Sequence, residues 1–126
     1  MTVRFELFVS DVKKAVEFYT KVLGFTKLQS YDNYYPVKKD SVIIGIGLAN
    51  RLPKNHYFQP EVINDRRGVG VEIVLEVDNI HSLYESVKKT GYPIAEELTQ
   101  REWGLTDFRL VDPDGYYLRL TSRESE

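Results

Sequence analysis

Residues 3–24 have the sequence VRFELFVSDVKKAVEFYTKVLG, which contains a complete strand, cap and helix. Apolar and polar side chains alternate over residues 3–9, a pattern typical of a strand with one buried face. Asp11 is suited to cap a helix, and apolar residues then recur at helical spacing over residues 12–23. Gly24 is the type of residue that ends a helix. The stretch therefore predicts one half-buried strand followed by one amphipathic helix.

The same unit recurs in residues 69–91, VGVEIVLEVDNIHSLYESVKKTG, where Asp78 is the expected helix cap and Gly91 the expected end. Three further strands are predicted after each helix, near residues 25–31, 33–39, 41–49, 93–99, 103–111 and 115–121. This order predicts an α+β fold of two βαβββ modules. We expect them to form a curved mixed sheet with the helices outside and a concave cleft inside.

The chain of 126 residues has the length of one domain, residues 1–126. Module one is predicted at 1–49 and module two at 69–126. Residues 50–68 between them are polar and contain two prolines, which indicates a linker loop.

Composition narrows the function classes. The net charge of −2 and the pI near 5.7 give no indication of a nucleic-acid partner. The sequence has no apolar run of the roughly 18 residues needed to cross a membrane, so no membrane partner and a cytoplasmic location are expected. The absence of cysteine excludes disulfides and thiolate metal sites, and His56 and His81 are the two imidazoles. Both are predicted to be solvated.

The repeat resembles the vicinal oxygen chelate superfamily, which includes glyoxalase I, extradiol dioxygenases and bleomycin resistance proteins. The resemblance rests on DVKKAVEFYTKVLGF (11–25), LVDPDGYYLRL (110–120) and the order of the modules. Metal-dependent members carry His or Glu at four inward positions, which the resemblance places at Arg4, Ile44, Glu72 and Arg119. Glu72 alone among these can bind a hard cation, because guanidinium groups stay protonated. The resemblance therefore implies no metal and no other cofactor, with Arg4 and Arg119 bracketing Glu72.

Residues 101–122, REWGLTDFRLVDPDGYYLRLTS, look closest to the bleomycin resistance branch, through the Glu-Trp-Gly loop at 102–104 and through Arg119. This resemblance implies a metal-free protein, without catalytic residues, that sequesters a small aromatic or anionic ligand in a dimer cleft, as in antibiotic resistance. Trp103 and Tyr35 would stack on the ligand and the arginines would pair with its anion. The expected ligand-binding residues are Arg4, Tyr35, Ile44, Glu72, Trp103, Arg109, Tyr117 and Arg119.

Two enzymatic alternatives stay open. One is a divalent-metal-dependent lyase or dioxygenase of the same superfamily, with ligands outside the usual positions, such as Glu72 with Glu6, Glu76 or His56. The other is a metal-free catalyst with Glu72 as general base, although flanking arginines would weaken that base. A homodimer is expected in each case, because sheet edges and clefts in this superfamily are usually completed by a second chain.

Overall fold

A computed structural model describes residues 1–58 and 67–123. Contacts within the chain separate it into two units, Met1–Arg67 and Gly68–Glu126. Each unit holds a four-stranded mixed sheet and a helix, so the α+β class is confirmed. Part of the predicted linker, residues 59–66, lies outside the described residues. Whether residues 1–126 act as one domain stays a prediction.

Module one begins with β1 (Phe5–Val9) and α1 (Val12–Glu17), which a π-helical turn extends through Phe18–Val22. The remaining strands are β2 (Thr26–Lys27), β3 (Tyr34–Lys39) and β4 (Val42–Leu48). They form a sheet of order β1-β4-β3-β2, with β1 parallel to β4 and the other pairs antiparallel. Asp11 caps α1 as predicted, since its side chain accepts a hydrogen bond from the Lys14 N–H. The strand expected near 25–31 is only two residues long.

The core of module one lies between the helix and one face of this sheet. Leu7, Val9, Val37, Ile44 and Ile46 are buried on that face, and Ala15, Val16 and Tyr19 are buried on the helical side. Strand alternation consequently places Glu6, Phe8, Gly45 and Gly47 on the opposite face, which we call the glycine face.

Module two contains β5 (Glu72–Val77), α2 (Ile80–Thr90), β6 (Glu96–Gln100), β7 (Thr106–Val111) and β8 (Tyr117–Ser122). The sheet order is β5-β8-β7-β6, with β5 parallel to β8, so it repeats the topology of module one. The prediction that Asp78 caps the second helix is wrong. Asn79 is the cap, and its side chain accepts a hydrogen bond from the Ser82 N–H, because α2 begins one residue later than expected. No helix within residues 1–58 and 67–123 is long and apolar enough to cross a membrane.

The Asp112-Pro113-Asp114-Gly115 turn aligns β7 with β8. The buried Asp112 side chain accepts hydrogen bonds from the N–H groups of Asp114 and Tyr116, both at 2.9 Å. Gly115 has a φ of 97°, which glycine adopts readily and L side chains rarely do. This turn therefore sets the register that brings the side chains of β7 and β8 side by side.

Tyr92, which follows α2, should make stability fall between pH 10 and about 12. Its hydroxyl donates a hydrogen bond to the Val111 carbonyl at 2.6 Å. Burial, reinforced by the negative charge of Asp112, raises the pKa of Tyr92 to about 12 from its usual 10. The folded state thus keeps a proton that the unfolded chain releases, so folding loses free energy as pH rises through this window. Tyr92→Phe should flatten this part of the stability curve, measured by urea unfolding at several pH values. An unchanged slope would contradict the assignment.

Candidate ligand-binding site

The face of the module-two sheet directed away from α2, here called the polar face, gathers most of the charged side chains of that module. Helix-side residues such as Phe108 and Leu118 are fully buried. The residues that alternate with them along each strand point to the opposite face. Register places Arg109 beside Arg119, Glu72 beside Tyr117 and Glu96 beside Arg109. Four of the predicted site residues, Glu72, Arg109, Tyr117 and Arg119, therefore share one surface across three neighbouring strands.

Arg109 lies at the centre of a hydrogen-bonded network on the polar face. Its Nε donates to Glu72 Oε1 at 3.2 Å and its Nη1 donates to Glu96 Oε2 at 3.0 Å. The same Glu96 oxygen accepts a hydrogen bond from the Tyr117 hydroxyl at 3.0 Å. These charge-assisted hydrogen bonds, which are stronger than neutral ones, connect all four strands of the module-two sheet.

Asp107 is the buried anchor of the network. It is fully buried on β7, and its Oδ1 accepts a hydrogen bond from Arg101 Nε at 2.9 Å. Arg101 Nη2 lies 2.8 Å from the same oxygen without the angle of a hydrogen bond, and Asp107 Oδ2 has no hydrogen-bond partner among the described residues. A buried carboxylate is kept charged at moderate cost only when a cation lies against it, and Arg101 is that cation.

Arg119, like Arg101, has a buried donor that makes no hydrogen bond to any described residue. Its Nε is buried and lies 3.2 Å from Glu72 Oε1, but it makes no hydrogen bond to any described residue. Glu72 Oε1 already accepts a hydrogen bond from Arg109. A buried donor without an acceptor costs about 1–3 kcal/mol, so an acceptor added at Arg119 Nε would stabilise this face.

The network of charged side chains on the polar face is electrically balanced. Three arginines (Arg101, Arg109 and Arg119) interact with three carboxylates (Glu72, Glu96 and Asp107). The hydrogen bond from Tyr117, aided by the nearby arginines, lowers the pKa of Glu96. Burial, followed by the hydrogen bond to Glu96, raises the pKa of Tyr117, so its hydroxyl stays a donor at neutral pH. Burial alone would lower the pKa of Arg109, but Glu72 and the other carboxylates raise it overall.

Two guanidinium groups lie beside Glu72 within module two. They belong to Arg109 and Arg119, which are registered against each other in adjacent strands. Arg4 pairs with Glu6, two residues along the same strand face, at 3.0 Å, and its predicted position beside Glu72 stays a prediction. The arginine–glutamate–arginine cluster in module two extends to Glu96, Arg101 and Asp107. Alternation along β6 could have predicted that Glu96 lies on the polar face. No pattern in the sequence predicted that Arg101, which follows β6, contacts Asp107.

Two predicted ligand-binding residues lie on the wrong side of the module-one sheet. Ile44 is fully buried on the helix side of β4, where Gly45 and Gly47 occupy the opposite face. Tyr35 belongs to β3, where it is registered against Ile46. It lines a groove of about 420 Å³ together with α1 residues such as Val16. Strand alternation gives both results, since bulky aliphatic side chains belong in the core and glycines do not.

Of the other residues that the sequence analysis discussed, Trp103 and His56 lie in loops and His81 lies on α2. Trp103 is 61% exposed in the hairpin between β6 and β7, where the Gly104 N–H donates to the Arg101 carbonyl at 3.0 Å. His56, predicted to be solvated, is half-buried instead, with its ring centroid 5.8 Å from that of Phe8 on the glycine face. His81 is exposed on α2, as predicted.

The residues at the four inward positions are poor ligands for a metal ion. Ile44 has no donor atom and lies in the core, Arg4 is paired with Glu6, and Glu72 is held by two guanidinium groups. Within residues 1–58 and 67–123, no group of three or more His, Asp or Glu side chains is arranged to hold a metal ion. A lone carboxylate already neutralised by arginines is a poor ligand for a divalent cation.

Comparison with known proteins gives consistent matches over nearly the whole chain. The model of the glyoxalase/bleomycin resistance protein/dioxygenase superfamily matches residues 2–120. The chain is 31% identical to the lactoylglutathione lyase of Escherichia coli O157:H7 over 119 residues, which cover 89% of this chain and 84% of that protein. It is 29% identical to the lactoylglutathione lyase of Neisseria meningitidis serogroup A over 122 residues, covering 93% and 86%.

Solved structures show the same fold. A glyoxalase/bleomycin resistance protein/dioxygenase from Nocardioides aligns with a TM-score of 0.79 at 19% identity, covering 97% of this chain and 82% of that one. TioX from Micromonospora sp. ML1 aligns at 0.78 with 17% identity, covering 98% and 99%. Virulence protein STM3117 from Salmonella typhimurium aligns at 0.76 with 18% identity, covering 98% and 97%.

Proposed function

Because the chain belongs to the glyoxalase/bleomycin resistance protein/dioxygenase superfamily, we propose that it is a metal-free, bleomycin-resistance-like binding protein. It holds a small aromatic molecule with an anionic group and does not transform it. The anion binds on the polar face, at Arg119. The predicted homodimer and cytoplasmic location are part of this proposal, and light scattering during gel filtration tests the dimer.

The unused donor of Arg119 carries the proposal. The Arg119 side chain is partly exposed and its Nε–H has no acceptor among the described residues, which favours binding of an incoming carboxylate or other oxyanion. The rest of the network holds it in place, because Glu72 lies 3.2 Å away and is itself fixed by Arg109. A balanced network also avoids the repulsion that an excess of negative charge would exert on an anion.

Arg119→Met tests the anion site with a side chain of similar length and no charge. The anionic probes are 1-naphthoate and S-lactoylglutathione. Bleomycin is added to test the likeness to the bleomycin resistance branch. We expect at least one anionic probe to raise the melting temperature of the wild type, because a ligand bound only by the folded form stabilises it. Arg119→Met should weaken binding of that probe by about 10- to 100-fold, the loss of one charge-assisted hydrogen bond.

Arg123→Met is the matched control, because Arg123 follows β8 and pairs with Asp78 at 2.6 Å, away from Glu72. It should bind the probe as the wild type does. Equal binding by Arg119→Met and the wild type would reject the site. If neither anionic probe raised the melting temperature, the proposed function would be rejected. If naphthoate raised it and bleomycin did not, only bleomycin would be excluded as a ligand.

A metal-dependent lyase is the second candidate, favoured by the 31% identity to a lactoylglutathione lyase. Elemental analysis of protein purified without chelator separates the two. About one equivalent of Ni, Zn, Mn or Fe per chain after gel filtration, together with formation of S-lactoylglutathione from methylglyoxal and glutathione, would replace our proposal with the lyase.

A further inference from the structure

A groove lies in module one between α1 and the edge of the sheet, on the side away from the glycine face. Its volume of about 420 Å³ falls within the range of roughly 300–1,000 Å³ that is typical of small-molecule pockets. The groove is lined by α1 with its π-helical turn, by Lys27 of β2, by Asn33 and by Tyr35 of β3, all within the described part of the chain. Room for a small molecule therefore exists within module one alone.

The groove is open because β2 is short. Thr26 and Lys27 are the whole of β2, and Lys27 is registered against Val37. Val37 is fully buried on the helix side of β3, whereas Tyr35, two residues earlier on the same side, is only half-buried. The end of β2 thus leaves an opening between α1 and the first residues of β3, and the groove occupies this opening.

The interior of the groove is mainly apolar. Val16 is buried and Val12 is half-buried on α1, and the Tyr35 side chain lines the groove from the sheet. Thr20 also lines it, but its hydroxyl already donates a hydrogen bond to the Val16 carbonyl at 2.7 Å. Residues Phe18–Val22 form a π-helical turn, a feature that is frequent at functional sites. A ligand with an apolar body would therefore gain contacts here without displacing a polar partner.

The rim of the groove is cationic. Lys13, Lys21 and Lys27 are exposed lining residues, and Glu17 is the carboxylate that lines the groove with them. Glu17 lies 3.9 Å from Lys21, whereas Lys13 and Lys27 form no salt bridge with any residue in 1–58 or 67–123. Three lysines and one glutamate leave a formal surplus of two positive charges, in a chain whose net charge is −2. The local field thus favours an anion although the protein as a whole is acidic.

We propose that this groove binds an aliphatic carboxylate. The lysine groove, as we call it, is defined by Val12, Val16 and Tyr35 inside and by Lys13 and Lys27 at the rim. The hydrocarbon chain lies on the two valines and the tyrosine ring, and the lysines hold the carboxylate. Lysine suits this ligand because its ammonium group is a point charge on a flexible stem, which needs no fixed geometry to pair with an anion. The lysine groove contains no residue of module two, so the inference does not depend on Arg119.

Octanoate tests the lysine groove, used below the concentration at which it forms micelles. Titration of the ¹⁵N-labelled protein should shift the amide resonances of Val12, Thr20 and Tyr35. Hexanoate should bind more weakly, by up to about 4-fold for each buried methylene that is lost. 1-Octanol, which has no charge, and octylammonium, which has the opposite charge, should both bind more weakly than octanoate. High salt should weaken octanoate binding, because the lysines are exposed to solvent.

The double variant Lys13→Met and Lys27→Met removes the free cations and keeps the length of both side chains. It should weaken octanoate binding about 3- to 10-fold, the loss of two exposed ion pairs, and leave 1-octanol binding unchanged. The matched control is the double variant Lys14→Met and Lys38→Met. It removes the same charge from exposed positions that do not line the groove, so octanoate should bind to it as to the wild type. Equal melting temperatures would show that both double variants are folded.

Three results would overturn the proposal. They are equal affinity for octanoate and 1-octanol, an equal loss of octanoate affinity in both double variants, and octanoate shifts confined to module two. If the groove resonances moved with protein concentration and not with octanoate, a second copy of the chain would be the occupant and the proposal would also fall. Arg119→Met should bind octanoate in the groove as the wild type does, so failure of either proposal would leave the other intact.

Discussion

Replacing Asp107 with alanine should lower the free energy of unfolding by about 3 kcal/mol. Asp107 is fully buried and accepts the hydrogen bond of Arg101, and its removal leaves that cation without its closest partner. Breaking a buried ion pair from one side is among the costliest single changes, because the remaining charge stays partly desolvated. Urea denaturation followed by far-ultraviolet circular dichroism measures the loss.

Two further variants separate the ion pair from a general effect on the hairpin. Glu97→Ala removes an exposed carboxylate from β6 and should change stability by no more than about 0.5 kcal/mol. A double-mutant cycle of Asp107→Ala with Arg101→Ala should show strong coupling, since the second substitution costs little once the first is made. A loss below about 1 kcal/mol for Asp107→Ala, or additivity in the cycle, would show that Asp107 is not the anchor of the polar face.

Phe108→Ala should destabilise the protein by about 3–5 kcal/mol. Phe108 is the neighbour of Asp107 on β7 but points to the other side of the sheet, where it is fully buried. Its ring meets that of Tyr84 from α2 with a centroid distance of 5.0 Å, so it joins the helix to the sheet. Truncation removes this contact and leaves a cavity between α2 and the sheet. The measurement is again urea unfolding.

Val111→Ala provides the control on the same strand. Val111 is 40% exposed, and its truncation should cost much less than that of Phe108. Phe108→Leu, which keeps most of the volume, should recover more than half of the lost stability. If Phe108→Ala lost less than about 1.5 kcal/mol, the contact between α2 and β7 would not be the main core contact of module two.

Local patterns predicted the elements well because they depend on nearby residues. Alternation in residues 3–9 and 69–77, and helical spacing after Asp11, predicted the strands and helices to within a few residues. The predicted strand near 25–31 failed, because a β-like sequence pairs only where a neighbouring strand runs beside it, and β2 meets β3 for two residues.

In module one, Tyr35 on β3 and Ile44 on β4 lie on the helix side of the sheet. The resemblance placed Ile44 inward, although the glycines at 45 and 47 were a signal in the sequence that the aliphatic residues of β4 form the core. The partners of the charged residues could not be predicted from the sequence. Arg109 and Glu72 are 37 positions apart, and nothing local links them.

The amino-acid sequence by itself determined the α+β class, the two repeated modules and the concentration of charge on β5, β7 and β8, because these follow from periodicity and residue type within short segments. Only the tertiary structure decided that Arg109 shares Glu72 with Arg119 and that Asp107 is buried against Arg101. Those relations depend on strand register, which many distant contacts set together and no single segment specifies.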